Sequence, residues 1–358
     1  MKKAFFISFL AVLGLIATIG HSEAGEGESG LRQLADSLGF ELGVAFEGGQ
    51  VYGSTWKEVV AKEFNQATIH WGVYWSHIQP KYGQYDFKIA DLQVSYAQET
   101  DMKIRGHTLF FAGYSPEWLH NSDFSKEQLL DILHAHITKV MTRYKGQIHQ
   151  WVVVNEPYIF PYRQNDVFYE YFGYDYIDYA YKAARDADSS AILIYNDANN
   201  HSANGLTTAL TQRIIKRLKV KGLVDAVGLQ MHLNWNNRPS KKDVISTMRS
   251  YGIDVYVTEF DVDLRDFPGT QWEKFSAQAE IYKDMLEACL ESGVCKGFTM
   301  WGIGDKYSWL ESSYDKNIIS PDADPTVFDD NFRPKPAYFN LLYVLSRHVS
   351  GATKFVKP

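Results

Sequence analysis

The chain has 358 residues and a formal net charge of −7 at pH 7, and its pI is near 5.9. This length and a hydrophobic fraction of 45% allow one large barrel or two ordinary domains around a substantial core. The acidic balance provides no basic surface for a phosphate backbone, so we expect no nucleic-acid partner. The 23 Tyr, 21 Phe and 9 Trp exceed what a core needs and suit stacking against a flat ligand such as a sugar ring or a base.

The N-terminus has the pattern of an export signal. The positively charged "MKK" is followed by an apolar stretch over 4–20, and "SEA" before Gly25 fits a small-x-small cleavage site. We therefore predict a signal peptide over 1–24, a mature domain over 25–358 and a secreted or periplasmic protein. A membrane anchor is the alternative, because the apolar stretch approaches the ~20 residues that a span requires. No later segment is apolar enough to cross a bilayer, so no stable span is expected once the signal is removed.

Short apolar segments alternate with helical patterns along the rest of the chain. One of these helices, over 125–144, has Ser125 and Gln128 as a potential capping box. Alternating strands and helices predict a parallel sheet that is buried on both faces. The eight predicted strands lie at 40–46, 67–74, 103–111, 148–154, 191–196, 226–233, 254–260 and 296–302.

Eight strand–helix repeats favour an α/β fold with a closed (β/α)₈ TIM barrel as a single domain. An open doubly wound sheet is the alternative, but its first turn would usually be rich in Gly and bind phosphate, and "EGGQVYGS" over 47–54 matches that pattern poorly. In a barrel the active site forms at the C-terminal ends of the strands. Polar residues at these ends are His107, Asn155, Glu156, Asn196, Asp197, Gln230, His232, Glu259 and Asp261, with Trp301 beside them.

Two of these residues, Glu156 and Glu259, form a candidate catalytic pair. Glycoside hydrolysis needs one carboxyl group to protonate the leaving oxygen and another to attack the sugar or to activate water. A retaining enzyme places the two carboxyl groups about 5 to 5.5 Å apart. We predict Glu156 as the acid/base, kept protonated by a raised pKa, and Glu259 as the ionised nucleophile.

Side chains around this pair are expected to bind the sugar or to support the nucleophile. Asn155 is placed to hydrogen-bond a sugar hydroxyl, and His232 to orient Glu259 while Asp261 holds the imidazole. A single strand histidine is more often a satisfied core group, but so many polar residues at one rim favour a site. The other expected contacts with the sugar or the acid/base are His107, Gln230, Trp301 and Trp309.

Six segments, in this order, resemble glycoside hydrolase family 10, the retaining endo-β-1,4-xylanases. They are "IRGHTL", "WVVVNE", "GLQMHL", "VYVTEFDV", "TMWGIGDKYSW" and "FDDNFRPKPAY". The resemblance spans essentially the whole mature chain. It implies a (β/α)₈ barrel, Glu156 as acid/base, Glu259 as nucleophile, and a cleft with sugar subsites on both sides of the cut.

The only two cysteines, Cys289 and Cys295, lie close together before the last predicted strand. In an exported protein such a pair can form a disulfide, whereas in the cytosol it would remain as thiols. Two ligands are too few for a structural zinc site. The resemblance implies a disulfide, because many family members have one at this place.

The chain departs from the family pattern where the glycone side of the substrate is held. Trp71 and Tyr74 replace an Asn and a Lys, which removes hydrogen bonds to hydroxyls and adds apolar surface for stacking. We expect both to contact substrate and the cleft to favour short products or cuts near chain ends. Xylan is the predicted substrate, with a decorated xylan or another β-linked glycan as the alternative. The other departures are His70, Phe111, Ala112, Tyr114, Val152 and Ala198.

Two alternative functions are also compatible with this fold, a non-catalytic carbohydrate-binding protein and a metal-dependent hydrolase. A carbohydrate-binding protein without activity would have lost a catalytic carboxylate, and both are present. A metal-dependent hydrolase would need clustered ligands, but "HAH" over 134–136 lies in a predicted helix where its histidines do not share a face. We expect no metal or cofactor, a polysaccharide or oligosaccharide as the binding partner, and a monomer.

Overall fold

The fold is a closed parallel barrel surrounded by helices. The computed structural model describes residues 30–121, 123–158, 166–312 and 322–355, with side chains up to residue 351. The strands are β1 Glu41–Phe46, β2 Gln66–Ile69, β3 Lys103–Phe111, β4 Gln150–Asn155, β5 Ile192–Asp197, β6 Ala226–Leu229, β7 His232–Asn234, β8 Asp254–Asp263 and β9 Cys295–Met300. Every pairing between them is parallel, β1 pairs with β9, and β6 pairs with β8, so the sheet closes on itself. The predicted single-domain (β/α)₈ barrel is confirmed.

Eight strands form the barrel, because β7 continues β6 after a break and also pairs with β8. The predicted strand over 226–233 was therefore wrong at its centre, where Met231 has a φ of 59° and interrupts the extended backbone. The predicted strand over 67–74 was too long for the same reason, since β2 ends at Ile69 and Trp71 has a φ of 61°. Both breaks turn side chains towards the rim of the barrel.

The described part of the chain contains thirteen α-helices. They are α1 Leu31–Leu38, α2 Ser54–Glu63, α3 Trp75–Ile78, α4 Lys88–Glu99, α5 Glu117–His120, α6 Lys126–Arg143, α7 Val167–Phe172, α8 Tyr176–Ala187, α9 Leu206–Val220, α10 Lys241–Ser250, α11 Gln271–Ser292, α12 Trp309–Ser312 and α13 Pro336–Phe355. The capping box predicted for α6 is confirmed, because the main-chain N–H of Gln128 donates to Ser125 Oγ at 3.3 Å and the main-chain N–H of Ser125 donates to Gln128 Oε1 at 2.8 Å. This cap fixes where α6 begins, on the same side of the barrel as the strand ends.

The barrel interior has an apolar layer and a polar layer. Val152, one of the departures from the family pattern, packs with Ile194, Ala226 and Tyr256 in a small cluster separate from the main core. Arg105 is fully buried; its Nε donates to Gln150 Oε1 at 2.8 Å and its Nη1 to Thr299 Oγ1 at 3.0 Å. Because side chains alternate along a strand, Arg105 and His107 lie on the same face of β3. His107 is two residues further along the strand and therefore nearer the rim that carries Glu156 and Glu259. The polar layer therefore supports the floor of the site, a feature that sequence analysis did not predict.

The disulfide between Cys289 and Cys295 is confirmed, with their Cα atoms 5.1 Å apart. It joins the end of α11 to the start of β9 and leaves the barrel rim untouched. The predicted signal peptide over 1–24 lies outside the described residues. Every helix in the described ranges is either too short or too polar to serve as a membrane span.

Candidate active site

Glu156 directly follows β4 and reaches the rim through an unusual backbone conformation. Its φ is 53°, in the left-handed region that side chains other than Gly seldom adopt, and such positions concentrate at functional sites. The Glu156 N–H donates to the Asn196 carbonyl at 3.1 Å, which holds the turn. Gln230 Nε2 donates to Glu156 Oε1 at 2.7 Å and fixes the carboxyl group.

The environment of Glu156 favours its protonated form. Burial raises the pKa of Glu156 to about 7, and the negative charge of Glu259 contributes in the same direction. The hydrogen bond from Gln230 opposes the rise but does not cancel it. The group therefore carries a proton across much of the neutral and acidic range.

Glu259 lies on β8, is 4% exposed, and both of its oxygens have hydrogen-bond partners. Asn196 Nδ2 donates to Oε1 at 2.6 Å, and His232 Nε2 lies 3.2 Å from Oε2. His107 Nδ1 lies 3.8 Å from Oε1, beyond hydrogen-bond range. Burial raises the pKa of Glu259, but the adjacent His107 and His232 and the two hydrogen bonds lower it, and the net pKa is below its ordinary value.

His232 supplies a positive charge beside Glu259. Burial lowers its pKa, yet Asp261 and Glu259 outweigh that effect and raise the pKa of His232 to about 10. The ring is then an imidazolium that donates from Nε2 to Glu259 and from Nδ1 to Asp261 Oδ1 at 2.9 Å. Trp309 Nε1 donates to the second oxygen of Asp261 at 2.8 Å. The structure thus brings Asp261, His232 and Glu259 together in one hydrogen-bonded chain, and their roles stay a prediction.

Asn196, at the end of β5, connects the two halves of the site. Its Nδ2 donates both to Asn155 Oδ1 at 2.8 Å and to Glu259 Oε1, while its Oδ1 accepts from Thr258 Oγ1 at 2.7 Å. Its place at a strand end was predicted from the sequence, but its role between the two halves was not. The missed signal was its position beside Asn155 in register across β4 and β5. A side chain at Gly228 would place a Cβ only 2.1 Å from Asn196 Oδ1, so this position needs Gly.

Aromatic rings enclose the space above Glu259. The Trp301 ring lies 5.1 Å from His107 and stacks on His70 at 4.7 Å, and Trp309 lies 5.1 Å from His232. These distances join ring centroids. Trp301 and Trp309 thus stand at the rim as predicted, and Trp309 also holds Asp261 in place.

A second group of rings follows β2 and β3, and we call Trp71, Tyr74, His77 and Tyr114 the aromatic cluster. Tyr74 stacks on Tyr114 with ring centroids 4.3 Å apart, and Trp71 lies 4.3 Å from His77. Tyr74 is only 6% exposed and lies 6.1 Å from His107, so the cluster adjoins the partners of Glu259. Burial raises the pKa of Tyr74 well above its ordinary value, helped by the negative charges of Glu259 and Glu156, so its phenol stays neutral.

The structure thus gathers the predicted site residues at one end of the barrel. Across the described ranges, no three His, Cys, Asp or Glu side chains come together in a way that would hold a metal ion. The chemistry available from the described residues is therefore that of a protonated carboxyl group, an ionised carboxylate and their hydrogen-bonding partners.

Comparison with known proteins agrees with this geometry. The model of glycosyl hydrolase family 10 matches residues 30–344. Endo-1,4-beta-xylanase B of Thermotoga neapolitana is 34% identical, and the match covers 92% of this chain and 94% of the relative. Endo-1,4-beta-xylanase 1 of Gibberella zeae is also 34% identical, over 78% of this chain and 80% of the relative.

Solved structures give the same result. Xylanase 10B from Thermotoga petrophila, in complex with xylobiose, has a TM-score of 0.82 and 31% identity, over 92% of this chain and 100% of that chain. A xylanase 10C mutant from Cellvibrio japonicus, in complex with xylopentaose, has a TM-score of 0.81 and 29% identity, over 88% of this chain and 69% of that chain. With its barrel, its paired glutamates and a family match over most of its length, the chain belongs to glycosyl hydrolase family 10.

Proposed function

We propose that this protein is a β-1,4-xylanase that cleaves xylan or xylo-oligosaccharides with retention, by double displacement. The observation that carries the proposal is the pair Glu156 and Glu259, which share one enclosed space and whose pKa values are moved in opposite directions. This is the division of labour that glycoside hydrolysis by two carboxyl groups requires. The names of the relatives, which are xylanases, support xylan as the substrate.

In the first displacement, the ionised Glu259 attacks the anomeric carbon while Glu156 gives its proton to the glycosidic oxygen. The bond between the anomeric carbon and that oxygen breaks, an ester forms to Glu259, and the shortened chain leaves as an alcohol. His232 and Asn196 donate to the Glu259 oxygens and keep them oriented for attack. Because both partners are held by further hydrogen bonds, little reorganisation is needed during the reaction.

In the second displacement, the Glu156 carboxylate takes a proton from water, and the water oxygen attacks the anomeric carbon and releases Glu259. Once Glu259 is esterified its negative charge is gone, so one of the causes that raise the pKa of Glu156 disappears. Glu156 then holds its carboxylate form more easily, which suits a general base. The same side chain thus serves as acid and then as base.

The neighbours of the pair have corresponding roles. Asn155 accepts from Asn196 through Oδ1 and is placed beside the acid/base, where its amide group meets a sugar hydroxyl. Gln230 orients Glu156, and His107 contacts the sugar from the Glu259 side. Trp301 and Trp309 form walls against which a sugar ring stacks.

The test is hydrolysis of xylan and defined xylo-oligosaccharides by the wild type and by the variants Glu156→Gln and Glu259→Gln. We expect both to lose at least about 1000-fold in kcat/KM on xylan, because each removes a group that forms or breaks a bond. Glu156→Gln should keep more activity on aryl xylosides with acidic phenols, whose leaving group needs little protonation.

NMR of the first product should show the β-anomer, and a chelator should leave the rate unchanged. Undiminished rates in both variants, or an α-anomer, would contradict the assignment. A protein that binds xylo-oligosaccharides without any turnover would instead support the non-catalytic alternative.

We propose further that the aromatic cluster shortens the glycone side of the cleft and directs cutting towards chain ends. Tyr74 and Tyr114 occupy each other's ring faces, so they fill space instead of offering both faces to a sugar. The predicted contacts of Trp71 and Tyr74 with substrate are then edge and hydroxyl contacts that close the path beyond the sugar attacked.

Product profiles from xylopentaose and xylohexaose test this. We expect release of one or two sugars from the non-reducing end at early times, and a shift towards internal cuts in Tyr74→Ala. An even ladder of internal products from the wild type would exclude the shortened cleft. Faster hydrolysis of a decorated xylan or another β-glycan in the same experiment would favour that alternative substrate.

We also propose that the protein is exported after cleavage before Gly25 and acts as a monomer. The export pattern over 1–24 supports the first proposal. N-terminal sequencing of protein recovered outside the cytoplasm should begin near Gly25, and light scattering should give the mass of one mature chain. An intact N-terminus in the membrane fraction would favour the anchor instead.

A further inference from the structure

A second groove opens between the loop after β2 and the first turns of α6, and we call it the outer groove. It has a volume of about 350 Å³ and is lined by Gln79, Tyr82, Tyr85, Phe124 and Asp131, among others. None of these residues takes part in the reaction described above. The combination of aromatic side chains, an amide and a carboxylate is the chemistry that binds neutral sugars, by stacking and by hydrogen bonds to hydroxyls.

Gln79 is a fixed hydrogen-bond donor in this groove. It is 4% exposed, and its Oε1 accepts from Trp75 Nε1 at 2.9 Å, which fixes the orientation of the amide. Its main-chain carbonyl accepts from Trp118 Nε1 at 2.8 Å and fixes the backbone as well. Among the described residues nothing accepts from Gln79 Nε2, and this nitrogen is accessible to solvent in the groove although most of the side chain is buried. A ligand hydroxyl that accepts from Gln79 Nε2 would replace the water that solvates this donor, and the fixed amide sets where that hydroxyl must lie.

Tyr82 provides the stacking surface. It is 60% exposed, although its ring is held in position by Trp118, whose centroid is 5.0 Å away, and by Phe124 at 5.6 Å. Both contacts are tilted, with interplanar angles of 57° and 46°, so neither partner lies flat on the Tyr82 ring. The exposed carboxylate of Asp131, on α6, lies on the opposite wall of the groove and accepts hydrogen bonds from hydroxyls.

The outer groove opens on the same end of the barrel as the catalytic site. Tyr82 belongs to the connection that leaves the C-terminal end of β2, and Asp131 lies in the first turns of α6, after the C-terminal end of β3. Trp75, which orients Gln79, stands in the same connection as Trp71, Tyr74 and His77 of the aromatic cluster. The groove and part of the catalytic rim are thus built from the same connection after β2.

We propose that the outer groove is a second, non-catalytic binding site for a β-1,4-xylan chain. The choice of xylan rests on the proposed function, because the site would serve the polymer that the cleft cuts. Tyr82 stacks on a sugar ring, Gln79 Nε2 donates to one hydroxyl, and Asp131 accepts from another. The site raises the time that the protein spends on insoluble substrate and leaves the chemical step unchanged.

The test measures retention on insoluble xylan in the Glu259→Gln background, so that no substrate is consumed. Tyr82→Ala and Gln79→Glu are compared with Tyr343→Ala, a control on α13 that is 50% exposed and lies on a helix packed against α1 and α11. Gln79→Glu keeps an acceptor for Trp75 and removes the free donor, and thermal unfolding checks that each variant folds. Cellulose serves as a second solid. In the active background, an aryl xyloside reports the chemical step alone.

We expect Tyr82→Ala and Gln79→Glu to be retained on xylan about fivefold less than the control, with unchanged kcat/KM on the aryl xyloside. Retention equal to that of Tyr343→Ala would overturn the proposal, as would a loss on cellulose larger than the loss on xylan. If retention on xylan depends on Tyr82 but the wild type does not cut xylan, the proposed activity is refuted while the outer groove remains a xylan-binding site. The two proposals therefore fail in distinguishable ways.

Discussion

The charge of Glu259 helps to keep a proton on Glu156, and the variant Glu259→Gln tests this coupling directly. This variant keeps the shape of the side chain and removes its charge. Burial, the larger cause of the raised pKa, persists in the variant. The pKa of Glu156 should therefore fall from about 7 but remain above its ordinary value of 4.5.

The size of the fall follows from Coulomb's law. Two unit charges about 5.5 Å apart, at an effective dielectric constant of about 20, interact by about 3 kcal/mol, which corresponds to about 2 pH units. This is an upper limit, because solvent in the cleft screens the charges. We expect the pKa of Glu156 in Glu259→Gln to fall by less than this limit and to lie between its wild-type and its ordinary value.

The assay is an NMR titration of protein labelled with ¹³C at the Glu carboxyl carbons, and Glu156→Gln identifies the resonance by its disappearance. In wild-type kinetics, kcat/KM should fall as the pH rises through about 7, because Glu156 then loses the proton that it must donate. It should also fall at acidic pH, where Glu259 takes up a proton at a pKa below its ordinary value. A Glu156 resonance that titrates near 4.5 in the wild type, or identically in both proteins, would refute the coupling.

Three further changes probe the supports of the site. Gly228→Ala should lower kcat about 100-fold in a folded protein, because a Cβ there would lie 2.1 Å from Asn196 Oδ1 and displace that side chain. Gly351→Ala is the control and should leave kcat unchanged, because no atom lies within 4 Å of the added Cβ. Lys335→Met should lower the free energy of unfolding by about 3 kcal/mol in chemical denaturation, because it leaves Asp305 buried without its 2.9 Å ion pair. The double variant Lys335→Met/Asp305→Asn should recover part of this loss, because the buried charge is then removed as well. Replacing both disulfide cysteines with Ser should cost about 2 kcal/mol of unfolding free energy and leave kcat unchanged, because the closed loop is short and remote from the rim. Full activity in Gly228→Ala, or unchanged stability in the other two, would contradict the corresponding argument.

The positions of Glu156 and Glu259 were predictable, because local sequence patterns place both at strand ends. Apolar strand segments alternating with helical ones predict a parallel barrel, and a barrel puts active-site residues at the ends of its strands. Glu156 and Glu259 each stand at such an end, so their meeting followed from topology without any knowledge of side-chain positions.

The partners of the pair were harder to predict, because their contacts cross between strands that are distant in the sequence. Asn196 joins Asn155 to Glu259 only because β4, β5 and β8 are brought into one barrel. The outer groove arises in the same way, since Trp75 orients the Gln79 amide and α6 supplies the opposite wall. Such contacts depend on the register of neighbouring elements, which a single sequence does not display.

By itself, therefore, the sequence determined the barrel, its family and the identity of the two glutamates, because each depends on periodicity or on a contiguous segment. The tertiary structure decided the states of those glutamates. Burial depth, the imidazolium of His232 and the distance to the other carboxylate set the two pKa values, and all three depend on how separate strands pack. Glu156 and Glu259 carry the same chemical group, yet one favours its protonated form and the other its ionised form. Only the packing around each side chain creates this difference.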